Sequence, residues 1–219
     1  MTEDDEDRKL YILMVYNYTL KVYIMLTDNE KKVLKFLMIS SNHYSINDIA
    51  KNCRLAPNGA YKILKKLENT GIIYFEEIGR IKAYRINFEN PLTKNYLEIA
   101  LTDDRIKESK IKIRIQDFRE LKSLCKAAVI FGSYITEKKN PNDIDVLFIM
   151  DADNYKEYNA KLEDIRNIIP YKIHDVIQTQ KDFIKNLKKQ DKIIIEAVKN
   201  GLVLWGHAFI VNSIENAKD

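Results

Sequence analysis

The sequence predicts an α+β fold in two domains, and three observations carry that reading. Residues 27–90 hold capped helical patterns followed by two alternating segments around a glycine turn. Asn90-Pro91 then interrupts the pattern, because the residue before a proline is pushed out of helix. Residues 107–219 interleave apolar, β-branched runs with helical periodicity, as a mixed sheet flanked by helices requires. The expected layout is an acidic tail with an apolar strand segment over 1–26, a first domain over 27–90, a linker helix over 91–106 and a second domain over 107–219.

Residues 3–7 are all carboxylates and read as a solvated tail. Residues 10–26 are dense in Tyr, Val, Ile, Leu and Met, with Asn17, Thr19 and Lys21 on alternate positions, which suits a strand better than a helix; the apolar excess needs a partner surface, and a homodimer interface is the expectation. Thr27 stands three residues before Glu30, a capping box, so a helix runs from there to about Ile39. Ser45 and Asp48 repeat the device for a short helix through Lys51. A third helix follows Pro57, turns Ala60, Ile63, Leu64 and Leu67 inward and stops at Gly71. Residues 72–77 and 81–88 then form a hairpin around Ile78-Gly79-Arg80.

Residues 92–101 read as a helix, and Thr102-Asp103-Asp104 caps another that runs to about Cys125, a connecting helix with a wet, basic face. A strand ends at Phe131 and a second opens at Asp143. Residues 153–168 are helical, 172–179 alternate as a strand, and 180–189 and 191–200 are helices. A short strand, 202–206, carries Trp205 as a core anchor.

The chain has 219 residues and 46% hydrophobic content, enough for two small cores. A net charge of +4 permits nucleic-acid contact without requiring it. Cys53 and Cys125 stand far apart with no Cys-x-x-Cys pair, which argues against a zinc or redox motif. Apolar runs are too short to span a membrane, and the acidic start lacks the basic opening of a signal peptide, so a cytoplasmic location is expected.

The chemistry concentrates in V-I-F-G-S-Y-I-T-E-K-K-N-P-N-D-I-D-V-L-F-I-M, residues 129–150. On a strand Asp143 and Asp145 project from one face and repel unless a divalent cation neutralises them; an oxygen-only set suits Mg²⁺, or Mn²⁺. Gly132 removes a side chain where the first strand ends, and Ser133 offers a hydroxyl and an N–H to phosphate oxygens at the start of a short helix.

Strand, Gly-Ser, a loop of roughly ten residues and Asp-x-Asp opening a strand together resemble the polymerase β type nucleotidyltransferases, especially their small bacterial and archaeal minimal members. The resemblance runs from near Lys107 to the C-terminus. It implies two Mg²⁺ ions (Mn²⁺ as a substitute) on Asp143 and Asp145 and a nucleoside triphosphate, ATP foremost, held at Gly132 and Ser133. It also implies a third carboxylate on a neighbouring strand, Asp175, as metal ligand or base. His174 would then point to the opposite face as a packing or surface residue. The implied reaction moves a nucleoside monophosphate to a hydroxyl of a protein or RNA, with loss of pyrophosphate. Two places depart from the pattern: Thr136-Glu137 stand where many small members carry Arg-Gly, and Asn142 where they carry Ser. An acidic Glu137 weakens the expected phosphate affinity.

Three helices and a hairpin, with the phrase A-Y-K-I-L-K-K-L-E-N-T-G-I-I, resemble the winged helix-turn-helix modules of bacterial and archaeal regulators. That likeness implies DNA contact by Asn58, Tyr61, Lys62 and Lys65 on the third helix and by Arg80 and Lys82 on the wing. The alternative expectation is a DNA-binding transcriptional regulator whose C-terminal domain only binds nucleotide. A regulator fused to its transferase also suits a toxin–antitoxin operon, with a partner protein or a tRNA end as acceptor.

Overall fold

The structure, a computed structural model, describes residues 24–40, 42–79, 81–136, 141 and 143–218. The apolar segment expected to pair subunits lies almost wholly outside them, as do Arg80, Glu137 and Asn142. The fold is α+β. The chain divides into two compact units, one with Tyr44–Ala100 and the residues up to Leu34, the other with Lys35–His43 and Leu101–Asp219.

Helix α1 (Asp28–Ile39) begins where expected. Thr27 N–H donates to Glu30 Oε2 at 2.8 Å and Glu30 N–H donates back to Thr27 Oγ1 at 3.3 Å, so two orphan donors of the helix start are satisfied reciprocally. Helix α2 (Ile46–Cys53) carries the second capping box, Ser45 with Asp48. Helix α3 (Pro57–Asn69) has proline in its first turn, where the missing N–H costs nothing, and is followed past its cap Thr70 by Gly71, whose φ of 72° suits glycine. Strands β1 (Ile73–Ile78) and β2 (Ile81–Ile86) pair antiparallel in register from Ile73 opposite Ile86 to Ile78 opposite Ile81. Ala60, Leu64 and Leu67 of α3 are buried with Ile49, Ile73 and Tyr84; Ile63 is only half-buried. Helix α4 (Thr93–Leu101) follows the Asn90-Pro91 break.

The single long helix expected from 102 to 125 is three pieces. A 3₁₀ turn (Asp104–Lys107), helix α5 (Ser109–Asp117) and a second 3₁₀ turn (Arg119–Ser123) are separated by Glu108 in extended backbone and by Phe118. Side-chain bonds hold the first 3₁₀ turn: Asp103 caps it and pairs with Arg105, and Arg105 Nη1 donates to the Ile135 carbonyl at 2.8 Å. The face expected to be wet is not uniformly so. Arg114 is 6% exposed, paired with Asp117 at 2.9 Å and set over the Tyr171 ring, while Ile113 is outside.

Strand β3 (Cys125–Phe131) leads to a 3₁₀ turn (Gly132–Ile135), then β4 (Asp143–Met150), α6 (Tyr155–Ile168), β5 (Lys172–Gln178), α7 (Gln180–Lys188), α8 (Lys192–Asn200), β6 (Leu202–Trp205) and α9 (His207–Lys218). The sheet order is β5-β4-β3-β6, with β4 and β5 parallel and the other pairs antiparallel. Ile144, Val146, Phe148 and Met150 of β4 join Ile111, Phe118, Tyr158 and Leu162 in the core on one face. The other face carries α7, α8 and α9. Helix α9, which lies beyond the last element expected, buries Ile210, Val211 and Ile214. Trp205 is a core anchor, its Nε1 donating to the Cys125 carbonyl at 3.0 Å. No helix among the described residues is long and apolar enough to cross a membrane.

Candidate metal centre beside the glycine-serine bend

Asp143 and Asp145 open β4 and, two residues apart on a strand, share the face opposite the Val146–Phe148 core. Phe131, the last residue of β3, pairs with Asp145, which brings the Gly132-Ser133 bend against the carboxylates. Gly132 has φ 72°, and a Cβ built on it would overlap Asp145 Oδ2. Glycine is therefore required twice, by the left-handed backbone and by the close approach. Ser133 Oγ donates to Asp143 Oδ1 at 3.3 Å, so in this state its hydroxyl orients a carboxylate. One oxygen of each Asp is thus set against the bend.

The other oxygens face β5. The parallel register places His174 beside Asp145 and Lys172 beside Asp143. His174 Nδ1 lies 3.5 Å from Asp143 Oδ2 and 3.4 Å from Asp145 Oδ1. The ligating atoms of the three side chains all lie within 4.8 Å of one another, a grouping able to hold a metal ion. The site is open: the side chains of Asp143, Asp145 and His174 are 36%, 29% and 43% exposed.

Asp175, expected as the third carboxylate, is not among them. It pairs with Val146 and so projects to the opposite face. There Arg166 Nη2 donates to its Oδ1 at 2.6 Å and the Tyr158 hydroxyl to its Oδ2 at 3.1 Å. Burial and the neighbouring Asp175 charge push the Tyr158 hydroxyl far above its usual range, so it stays a donor. Asp175 instead has a structural role, an ion pair joining β5 to α6. His174, expected on the opposite face, takes its place beside the Asp pair. A one-residue shift in register separates the two assignments, and no residue pattern in the strand itself fixes that register.

The residues expected to meet DNA fall in the first unit. Asn58, Tyr61, Lys62 and Lys65 are all exposed on one side of α3, opposite the buried Ala60, Leu64 and Leu67. Lys65 sits 3.5 Å from Glu68. Lys82 is exposed on β2, its ammonium 3.9 Å from the centre of the Phe75 ring. Arg80 lies outside the described residues.

Among protein families, a model described as a family of unknown function, DUF6932, matches residues 82–209, a span that includes the bend, the Asp pair, His174 and Asp175. A search of curated proteins finds no match.

Proposed function

The chain belongs to DUF6932, a family of unknown function, and from the site we propose that it transfers a nucleoside monophosphate from a nucleoside triphosphate to a hydroxyl acceptor. The observation that carries this reading is the packing of Asp145 into the space left by Gly132, which sets a carboxylate pair directly beside a Gly-Ser bend. The pair suits a divalent cation better than it suits a structural role, since two adjacent carboxylates at a strand start destabilise each other when nothing neutralises them.

The reaction forms a bond from the acceptor oxygen to the α-phosphorus and breaks the bond from that phosphorus to the β-bridging oxygen, releasing pyrophosphate. Asp143, Asp145 and His174 would hold the cation, which supplies charge neutralisation for the triphosphate and a lowered acceptor pKa. Ser133 and the backbone N–H groups of the bend bind the β and γ phosphates, Ser133 exchanging its bond to Asp143 for one to phosphate. With Asp175 committed to Arg166, the acceptor's proton passes to water, which reaches an open site.

The test is incubation with each triphosphate labelled at the α-phosphorus, with divalent cation and cell extract, followed by mass spectrometry of adducts on protein and tRNA. Asp145→Asn should lower transfer by about 100-fold or more, because the cation's share of transition-state stabilisation is several kcal/mol. Undiminished transfer by that variant would overturn the reading.

A second reading has its own observation, the outward row Asn58, Tyr61, Lys62 and Lys65 on α3. It makes the first unit a winged helix whose α3 enters the major groove, and the whole chain a regulator that senses nucleotide. Gel shift on the chain's own promoter, with and without triphosphate, separates it from the enzyme. Salt-dependent retardation lost in Lys62→Ala supports it, and no retardation at low salt sinks it.

A further inference from the structure

We propose that the centre is built for a four-coordinate transition-metal dication, Zn²⁺ or Co²⁺, in preference to Mg²⁺, with His174 Nδ1 as the ligand that sets the preference. The inference deepens the nucleotidyl-transfer reading by naming the ion, and it rests on that reading only for what the ion does.

Three observations converge. The ligand set is mixed: two carboxylates and an imidazole, brought together by the parallel pairing of Asp145 with His174. Imidazole suits transition ions, whereas Mg²⁺ prefers oxygen and keeps several waters, so a magnesium ion would leave the nitrogen unused. The two edges that meet at His174 agree with tetrahedral spacing. With metal–ligand bonds of about 2.1 Å, adjacent ligand atoms of a tetrahedron stand about 3.4 Å apart and those of an octahedron about 3.0 Å apart. Nδ1 stands 3.5 Å and 3.4 Å from one oxygen of each carboxylate.

The third observation is orientation. Asp143 Oδ1 takes the Ser133 hydroxyl and Asp145 Oδ2 is packed against Gly132, while the oxygens nearest His174 are Asp143 Oδ2 and Asp145 Oδ1. Asp143 is thus held by a hydrogen bond to one oxygen, Asp145 lies close against the bend, and each presents its other oxygen to His174, as carboxylates steadied by neighbouring groups do in metal sites. Three protein ligands on an open face leave a fourth position for water or a phosphate oxygen.

The experiment measures binding without nucleotide. The full chain is titrated with Co²⁺, Zn²⁺ and Mg²⁺ by calorimetry, and the visible absorption of the Co²⁺ form is recorded. The wild type should bind Co²⁺ and Zn²⁺ at least about 100-fold more tightly than Mg²⁺, with the intense bands of a tetrahedral ion. His174→Ala should lower Co²⁺ affinity by about 100-fold and leave Mg²⁺ affinity within about threefold. His174→Asp, which restores an oxygen-only set, should narrow the gap between the ions. Asp145→Asn should abolish the tetrahedral spectrum, which excludes Cys53, Cys125 or another histidine as the source. His174 is half exposed, and a circular dichroism melt verifies that its variants fold.

Equal affinity for Mg²⁺ and Co²⁺, an octahedral spectrum, or unaltered Co²⁺ binding by His174→Ala each overturns the inference. Those results leave nucleotidyl transfer standing with another ion. Absence of label transfer alongside tight, His174-dependent Co²⁺ binding does the reverse.

Discussion

Gly132 lies so close to Asp145 that a Cβ at Gly132 would overlap the carboxylate oxygen Oδ2. The bend and the Asp pair are therefore one packed object, and a change in either reaches the other. Gly132→Ala should cost about 1–2 kcal/mol from the left-handed backbone alone, with the overlap adding to it. It should also displace Asp145 and weaken cation binding. A denaturant melt and a metal titration of the same variant check both effects; wild-type metal affinity in a folded Gly132→Ala protein would contradict the packing.

Asp175 and Asp145 make opposite predictions, although both are carboxylates on neighbouring strands. Asp175→Asn removes the charge that Arg166 and Tyr158 address, so stability should fall by about 1.5–3 kcal/mol while metal affinity stays at the wild-type level. Asp145→Asn relieves repulsion with Asp143, so the melting temperature should hold or rise while metal affinity is lost. Thermal melts and metal titrations on the two proteins decide the matter. Loss of metal binding in a stable Asp175→Asn would restore Asp175 to the site.

That pair also marks how far the sequence reads. The capping residues Thr27, Glu30, Ser45 and Asp48 specify helix starts locally, because the bonds they make span three residues and need no tertiary partner. Gly132, Ser133, Asp143 and Asp145 are legible for a similar reason: alternation along one strand puts the two Asp side chains on one face. His174 against Asp175 is not legible, since the choice depends on register between two strands separated by a 14-residue helix. The 3₁₀ turn before Glu108 is hidden too, because the Arg105 bond to the Ile135 carbonyl that fixes the turn joins residues 30 apart.

Cys125 begins β3 in the core, and burial pushes its thiol up to about 12. The reactive thiolate is then scarce at neutral pH. Native protein at pH 8 should react with a thiol reagent only as fast as it unfolds, and Trp205 fluorescence should change in step, because Trp205 Nε1 bonds to the Cys125 carbonyl. Trp205→Phe leaves that carbonyl without this bond, which costs about 1–3 kcal/mol in a buried place and should speed the labelling of Cys125. Rapid labelling of folded wild type would show the strand to be open.

Glu30 predicts a pH dependence whose sign follows from its partners. Burial works against its charge, but the Lys66 ammonium 2.6 Å away and the Thr27 N–H outweigh it, holding the carboxyl below its ordinary 4.5. A group depressed in the folded state binds its proton more readily when unfolded, so the unfolded form gains as pH falls. The stability Glu30 contributes is thus fully present above about 4.5 and drains away as pH drops through the folded value. Glu30→Gln keeps an oxygen for the Thr27 N–H and loses the titration and the charge pair with Lys66. Its melting temperature should lie below the wild type at neutral pH and meet it at strongly acid pH. Parallel curves across that range would mean that the Lys66 pair adds nothing, leaving the cap alone to hold the start of α1.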